Sequence, residues 1–350
     1  MNLNFQFELD PVFETLGLLF YSSNVDKVKE ISVAELNKFG VDGETFYNKH
    51  LKPFDRYIRA FSKHREWDEQ AEFFFGDDND QFFHLLLRVV CENPYWMTEP
   101  EIIRQEEGRL EILKLIASDE EVHDGQSENL QIEDIQTTEE IIAFLAKTPF
   151  DEKMKWKLMI LLNDPLGQIK KLTDIVNRHL PAFEHARMET HKVVDKLIQK
   201  LGQSVENKEG KHFFKFIEVF QYQQADIYPT LIMPMMQIMY KERCYYGLMV
   251  DALPIQNHSN GKSQDLLSLR LKAMGDKSKL QILASLKISP KYNLEIAEHL
   301  GLTAATMSHH MNVLLACGLV EIEKKNGKVY YHLDQANIRD LLDDLEQFLL

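Results

Sequence analysis

Apolar residues recur three and four positions apart through most of the N-terminal region, and this spacing predicts a largely helical body. Clear examples within residues 28–115 are "FDRYIRAFSKH" and "QFFHLLLRVVC". The alternating segment 3–9 predicts a strand, and the segment 11–23 that follows predicts a helix. Residues 213–250 are β-rich in composition, so we expect them to complete the body.

Two polar segments indicate how the chain is organised. Residues 254–264, "PIQNHSNGKSQ", contain Gly, Pro, Asn and Ser, which predicts a linker. This linker would separate an N-terminal body, residues 1–253, from a C-terminal domain, residues 265–350. Residues 118–140 hold nine acidic residues and no Lys or Arg, which indicates an exposed acidic linker inside the body.

The segment around Gly301 predicts two helices joined by a tight turn. "LEIAEHL" has the pattern of a short helix, and Gly301 suits the left-handed position that commonly ends a helix. Thr303 is placed to cap the next helix, while Leu302 and Met307 have the spacing of a hydrophobic staple. This order of elements is that of a helix-turn-helix unit.

The second of these helices has an apolar side and a polar side. The apolar side comprises Met307, Met311, Leu314 and Leu315. The other side is short, polar and uncharged, whereas a helix that is merely solvated usually carries Lys and Glu. Small hydroxyl, amide and imidazole groups such as those on the polar side fit the major groove of DNA and pair with base edges. We therefore predict contacts to bases or nearby phosphates from Thr303, Ala305, Thr306, Ser308, His309 and Asn312. We expect His310 to be a packed histidine, and we assign no base-reading role to Val313.

A hairpin follows the second helix. In "GLVEIEKKNGKVYYHL", two strand-like segments flank an Asn-Gly pair, which is a strong hairpin signal. Lys324, Lys325 and Lys328 surround the predicted turn. A hairpin with a basic tip beside a recognition helix suits contact with DNA phosphates. The predicted fold class is therefore mainly α with minor β, with an α+β body and a C-terminal winged helix-turn-helix domain.

Residues 265–350 resemble the ArsR family of bacterial and archaeal repressors. The resemblance lies in "LKAMGDKSKLQILASL", in "TMSHHMNVL" and in the wing "GLVEIEKKNGKVYYHL", which occur in this order. It implies a homodimer that binds pseudo-palindromic DNA operators and releases them when an effector binds. The N-terminal body is similar to long regions fused to such domains in some regulators of Gram-positive bacteria.

The positions where several ArsR proteins bind metals carry no suitable ligands here. The family's "CVC"-type box would fall in "ISPKYNLEI", which has no Cys or His. The C-terminal "LDQANIRDLLDDLEQFLL" lacks the His-based pattern of other members. We therefore expect no metal site and no cofactor, and an effector that is a small molecule or a protein.

The last helix carries an apolar stripe that must be covered. Packing within its own domain would cover it, and so would a dimer seam, which is what the resemblance implies. We favour a seam with the helix around 266–274. The residues assigned to this seam are Leu266, Leu269, Ile338, Leu341, Leu342, Leu345 and Phe348.

Composition and charge narrow the possible functions. The net charge is −15, yet residues 266–333 carry nine Lys and Arg against five acids, a local charge of +4. A basic module on an acidic body suits a protein that contacts phosphate in one orientation. The N-terminus has no signal-peptide pattern, no segment is apolar enough to span a membrane, and three scattered cysteines fit a reducing compartment. We expect a cytoplasmic protein without membrane contact.

The sequence thus predicts a DNA-binding transcriptional regulator, a homodimeric repressor on an inverted-repeat operator in double-stranded DNA, relieved by a non-metal effector. The alternative is a winged-helix module that binds and regulates a protein partner. The motifs HExxH, GxSxG and GxGxxG are absent, so we expect no enzyme. A methionine-rich stretch fits either ordinary core or an adaptable pocket; it comprises Met233, Met235, Met236 and Met239, with Met249 beyond it.

Overall fold

The computed structural model describes most of the chain. The described residues are 2–38, 41–76, 80–117, 132, 135–207, 224–253, 264–301, 307, 310–311, 313–315, 317–325 and 328–350. Most of these residues are helical, and the strands form two small sheets, so the predicted class, mainly α with minor β, is confirmed. Among the described helices, none is long and apolar enough to cross a membrane.

Ten helices form the described part of the N-terminal body. They are α1 (Pro11–Ser23), α2 (Val25–Lys38), α3 (Gly43–His50), α4 (Lys52–Ser62), α5 (Glu69–Phe75), α6 (Asp80–Glu92), α7 (Gln105–Ala117), α8 (Thr138–Ala146), α9 (Glu152–Asn163) and α10 (Pro165–Glu206). The predicted helical pattern over 28–115 is confirmed. The predicted acidic linker overlaps the start of α8, and residues 118–131 and 133–134 lie outside the described part.

Helix α1 lies at the centre of the body. The Asp10 carboxylate accepts hydrogen bonds from the backbone N–H groups of Val12 and Phe13, and Pro11 occupies the first turn, so the helix begins sharply. Most of its residues are buried, including Phe13 and Leu16. An apolar helix buried on most sides must be surrounded by other elements, here α4, α5, α6 and α10.

Helix α10 is the longest element, with 42 residues. The Asp164 side chain accepts a hydrogen bond from the Gly167 N–H, and Pro165 stands at the first position, both favourable at a helix start. The helix packs against α1 and α4 and continues past them. Leu197 in its C-terminal part packs against both hydrophobic clusters of the chain.

Four strands close the body: β1 (Asn2–Phe5), β2 (Gln224–Thr230), β3 (Gln237–Tyr240) and β4 (Arg243–Gly247). Their order is β1-β2-β4-β3, parallel for the first two pairs and antiparallel between β3 and β4. The strand predicted at 3–9 is shorter than expected. The β-rich region predicted at 213–250 is confirmed in β2 to β4, while residues 213–223 lie outside the described part.

The C-terminal region contains α11 (Gln264–Met274), α12 (Lys277–Ile288), α13 (Asn293–Leu300), β5 (Val320–Lys325), β6 (Lys328–Leu333) and α14 (Gln335–Leu349). Its core is a second hydrophobic cluster, separate from that of the main body. This cluster also includes Leu36, Phe46, Tyr47 and Met249 from the body. The proposed boundary at 254–264 therefore joins two regions that share apolar contacts.

Candidate nucleic-acid interface

The described elements around Gly301 have the predicted helix-turn-helix order. Asp276 caps the start of helix α12, and its side chain accepts a hydrogen bond from the Lys279 N–H. Helix α13 ends at Leu300, and Gly301 follows with φ +65°. This left-handed conformation strains residues that have a Cβ, so it explains the glycine.

The described residues after the turn orient the recognition segment. Residues 307, 310–311 and 313–315 are helical. Met307, Met311 and Leu314 are at most 1% exposed, and Leu315 is partly buried beside them. The predicted apolar side is thus confirmed as the side that packs on the core.

Val313 is the exception in this helix. The sequence places it on the flank away from Met307, yet it is only 6% exposed and belongs to the second hydrophobic cluster. Its apolar side chain is therefore explained by packing, which the helical pattern of one segment could not show. His310 is partly buried, which agrees with the expected packed histidine.

The six residues predicted to contact bases all lie outside the described residues. They are Thr303, Ala305, Thr306, Ser308, His309 and Asn312. Their role stays a prediction from the sequence. The structure shows instead that Met307 and Met311, which lie between them in the sequence, are buried in the core.

The hairpin predicted after the recognition segment is present. Strands β5 and β6 pair antiparallel, from Val320 opposite Leu333 to Lys325 opposite Lys328. A further bridge joins Lys291, just before α13, to Tyr331, so the hairpin is tied to the helix-turn-helix. The three wing lysines are therefore at the tip of a two-stranded wing; of these residues only the backbone is described.

A buried arginine links three elements of this domain. Arg270 of α11 is 1% exposed, and its Nε donates a hydrogen bond to the carbonyl oxygen of Cys317, 3.0 Å away, just after the recognition segment. Its Nη1 lies 4.0 Å from Oδ2 of Asp344 in α14. Burial lowers the pKa of the Arg270 guanidinium below its ordinary value, while the Asp344 charge opposes that shift.

The sequence indicates Arg270 only as part of the basic charge of the domain. A signal for its burial exists in "LLSLRLKAM", where the arginine is four residues after Leu266 and three before Ala273. Both of these apolar neighbours are buried, so the arginine shares their face of α11.

The residues assigned to a dimer seam divide into two groups. Leu266, Leu269 and Leu341 are buried within this single chain, and Ile338 and Leu345 are partly buried against the second hydrophobic cluster. Leu342 and Phe348 are 58% and 59% exposed. Leu349, the last residue of α14, is also exposed, as is Leu350 after it.

Acidic, cysteine and histidine side chains do not converge in the described part of the chain. No group of three or more of them there could hold a metal ion. Cys317 is buried, and burial raises the pKa of its thiol to about 11.

A helix-turn-helix tied to a two-stranded wing defines a winged-helix DNA-binding domain. Residues 276–322 match the family model described as "Bacterial regulatory protein, arsR family". The chain belongs to this family, as the resemblance implied, and the protein is a DNA-binding transcriptional regulator.

The curated relatives match the same region. The chain is 34% identical over 79 residues to the "Arsenical resistance operon repressor" of Staphylococcus aureus. The matched region covers 23% of this chain and 76% of that repressor. It is 33% identical over 79 residues to the "HTH-type transcriptional regulator CmtR" of Mycobacterium tuberculosis, covering 23% and 67%. It is 28% identical over 78 residues to the "Transcriptional repressor SdpR" of Bacillus subtilis, covering 22% and 87%. No solved structure matches the chain.

Proposed function

We propose that the protein is a homodimeric repressor that binds an inverted-repeat operator in double-stranded DNA and is released by a non-metal effector. The orientation of the recognition segment carries this proposal. Met307, Met311 and Leu314 are buried in the core, so helical periodicity predicts that the polar residues between them in the sequence face a major groove. The repressor names of two relatives support the direction of regulation.

Two kinds of contact are assigned to the interface. Thr303, Ala305, Thr306, Ser308, His309 and Asn312 read bases or bind adjacent phosphates. Lys324, Lys325 and Lys328, at the tip of the wing, bind phosphates. The base contacts give specificity, whereas the lysine contacts add affinity that is independent of sequence and sensitive to salt.

The exposed face of α14 supports the homodimer. Leu342, Phe348 and Leu349 form an apolar stripe on the last helix. A second copy of the chain would cover this stripe by the same stripe, as a two-fold interface requires. A dimer also places two recognition helices about 34 Å apart, one turn of DNA, and hence predicts the spacing of the half-sites.

Two substitutions compared on one operator test the assignment of contacts. Asn312→Ala should weaken operator binding by about 1–3 kcal/mol and relax specificity at one base pair. Lys325→Ala should weaken binding to all duplexes alike and reduce the slope of log affinity against log salt concentration by about one. A change in base preference caused by Lys325→Ala would contradict the wing assignment.

The second candidate function is regulation of a protein partner through the winged helix, for which the acidic body would suit a basic partner. The uncharged polar side of the recognition segment and the lysines of the wing favour DNA instead. Failure of the full-length protein to select any duplex would favour the protein partner.

A further inference from the structure

A cavity lies between the body and the first helix of the winged-helix domain. Its volume is about 540 Å³, within the range of small-molecule sites. The body contributes residues of α3, the C-terminal part of α10 and the segment after β4. Helix α11 contributes Ser268, Leu269 and Lys272. A molecule in this cavity would therefore touch both regions of the chain at once.

Three lysines from three different helices line this cavity: Lys49 on α3, Lys200 on α10 and Lys272 on α11. Within the described part of the chain, none of their side chains forms a hydrogen bond or an ion pair within 4.0 Å. Lys272 is near enough to Asp42, across the cavity, to contribute to the lowering of the pKa of that carboxyl. All three lysines are exposed to solvent and line the same cavity.

The two carboxylates of the cavity are already engaged. Asp42 caps α3 and accepts hydrogen bonds from the N–H and the hydroxyl of Thr45. The bond from the N–H is the main cause of the lowered pKa of the Asp42 carboxyl. Asp251 accepts a hydrogen bond from the Tyr246 hydroxyl at 2.7 Å. Three lysines against two carboxylates leave a formal charge of +1 in a chain of −15.

His50 does not add to this charge at neutral pH. Burial, together with the Lys49 charge, lowers the pKa of His50 below its ordinary value. Its ring lies 4.7 Å from that of Phe46, centroid to centroid, and both residues line the cavity. His50 therefore contributes a neutral ring to the wall.

The rest of the wall is mainly apolar. Phe46, Leu201, Leu248, Met249 and Leu269 are all buried and line the space. Such a wall favours the apolar part of a ligand, while the lysines favour a negative group. Of the methionines that suggested an adaptable pocket in the sequence, Met249 lies in this wall, whereas Met233 belongs to the core of the body.

We propose that this cavity is the effector site of the protein and that it binds an organic anion with an apolar body, held by Lys49, Lys200 and Lys272. The inference rests on the proposed function, since it supplies the effector that the repressor needs. Leu269 and Lys272 in the cavity wall flank Arg270, which contacts the end of the recognition segment through Cys317. A ligand that shifts α11 would therefore act, through this contact, on the end of the recognition segment.

Competition between ligands of different charge tests the site in the full-length protein. The fluorescent dye anilinonaphthalene sulfonate reports occupancy, and decanoate and decanol are the competitors, alike in chain and different in charge. Decanoate should displace the dye and decanol should not. Lys200→Met and Lys272→Met should each weaken decanoate binding at least about fivefold. Lys192→Met, on an exposed position of α10 outside the cavity, is the matched control and should have no effect.

Equal displacement by decanol, equal weakening by Lys192→Met, or no saturable binding of either dye or decanoate would overturn the proposal. Ala252→Trp provides an independent test, because it fills the cavity without changing its charge. It should abolish decanoate binding. Retained binding in a folded Ala252→Trp protein would place the ligand elsewhere and overturn the site.

Hydrogen exchange and DNA binding separate this inference from the proposed function. Decanoate should slow amide exchange in α3 and α11 of the wild type, and it should lower the affinity for a selected duplex. Normal DNA selection without decanoate binding would overturn the inference and leave the repressor assignment intact. Decanoate binding with protection of α11, but without selection of any duplex, would support the site and refute the DNA-binding proposal.

Discussion

The Nε of Arg270 donates a hydrogen bond to the carbonyl oxygen of Cys317 across 3.0 Å, inside the core of the winged-helix domain. The carbonyl follows the recognition segment, and the guanidinium belongs to the helix that borders the cavity. Burying a charged group costs free energy unless the group is hydrogen-bonded and paired with an opposite charge. This contact therefore fixes the recognition segment relative to α11.

Replacing this arginine should weaken both the fold and DNA binding. Arg270→Met keeps much of the volume but leaves the Cys317 carbonyl without its Nε donor. We expect the free energy of unfolding to fall by about 1–3 kcal/mol in urea denaturation, with a parallel loss of operator affinity. Arg339→Met, on an exposed position of α14, should change the free energy by less than about 0.5 kcal/mol. Equal stability of the two variants would refute the anchoring role.

The buried position of Val313 leads to a second prediction. Val313→Thr is nearly isosteric but introduces a hydroxyl into the second hydrophobic cluster. It should lower the free energy of unfolding by about 1–3 kcal/mol. Val193→Thr makes the same change on an exposed face of α10, where Val193 is 49% exposed, and should be close to neutral. If Val313→Thr were also neutral but altered DNA specificity, Val313 would face the DNA instead.

A buried carboxyl in the body predicts a dependence of stability on pH. Glu14 is fully buried, and its Oε1 accepts hydrogen bonds from the Thr230 hydroxyl and the Leu231 N–H. Burial raises the pKa of Glu14 to about 7, against the lowering effect of these bonds. The pKa of Glu14 is higher in the folded chain than in the unfolded one. The stabilisation that comes from its protonation is therefore fully present below pH 4.5 and is lost as the pH rises to about 7.

Glu14→Gln should remove that loss, because the amide stays neutral. Relative to wild type, the variant should gain stability between pH 5 and pH 8, by up to roughly 3 kcal/mol. Urea denaturation of both proteins at the two pH values measures the difference. A constant difference between them would mean that Glu14 titrates alike in the folded and unfolded chains.

The apolar face of α14 predicts the effect of a charge placed on it. Leu342→Asp should convert a dimer into a monomer with a well-folded domain, since Leu342 is 58% exposed within the chain. Light scattering at several concentrations would show the change in mass. Ile288→Asp, at the 84% exposed end of α12, should leave the dimer intact. A dimer that tolerates Leu342→Asp would place the seam elsewhere.

Features with a local cause could be predicted from the sequence. The apolar stripe of Met307, Met311 and Leu314 follows from helical periodicity. The left-handed φ of Gly301 and the hairpin of β5 and β6 follow from turn chemistry within a few residues. These features sufficed to identify the helix-turn-helix and its wing.

Features that depend on distant residues could not be predicted in this way. The parallel pairing of β1 with β2 joins Asn4 to Asp226, whose side chains share a hydrogen bond across 222 positions. The burial of Val313 and the lysines around the cavity likewise arise from elements far apart in the chain. Periodicity in one segment carries no information about what covers it.

Selection of duplexes from a random pool by the full-length protein, at two salt concentrations, is the sharpest test of sequence-specific DNA binding. We expect enrichment of an inverted repeat with half-sites one helical turn apart. We also expect the Thr306→Ala/Asn312→Ala double variant to lose this enrichment while retaining its far-UV circular dichroism. Absence of any enriched sequence at either salt concentration would refute sequence-specific DNA binding by the chain alone and favour a protein partner of the winged helix.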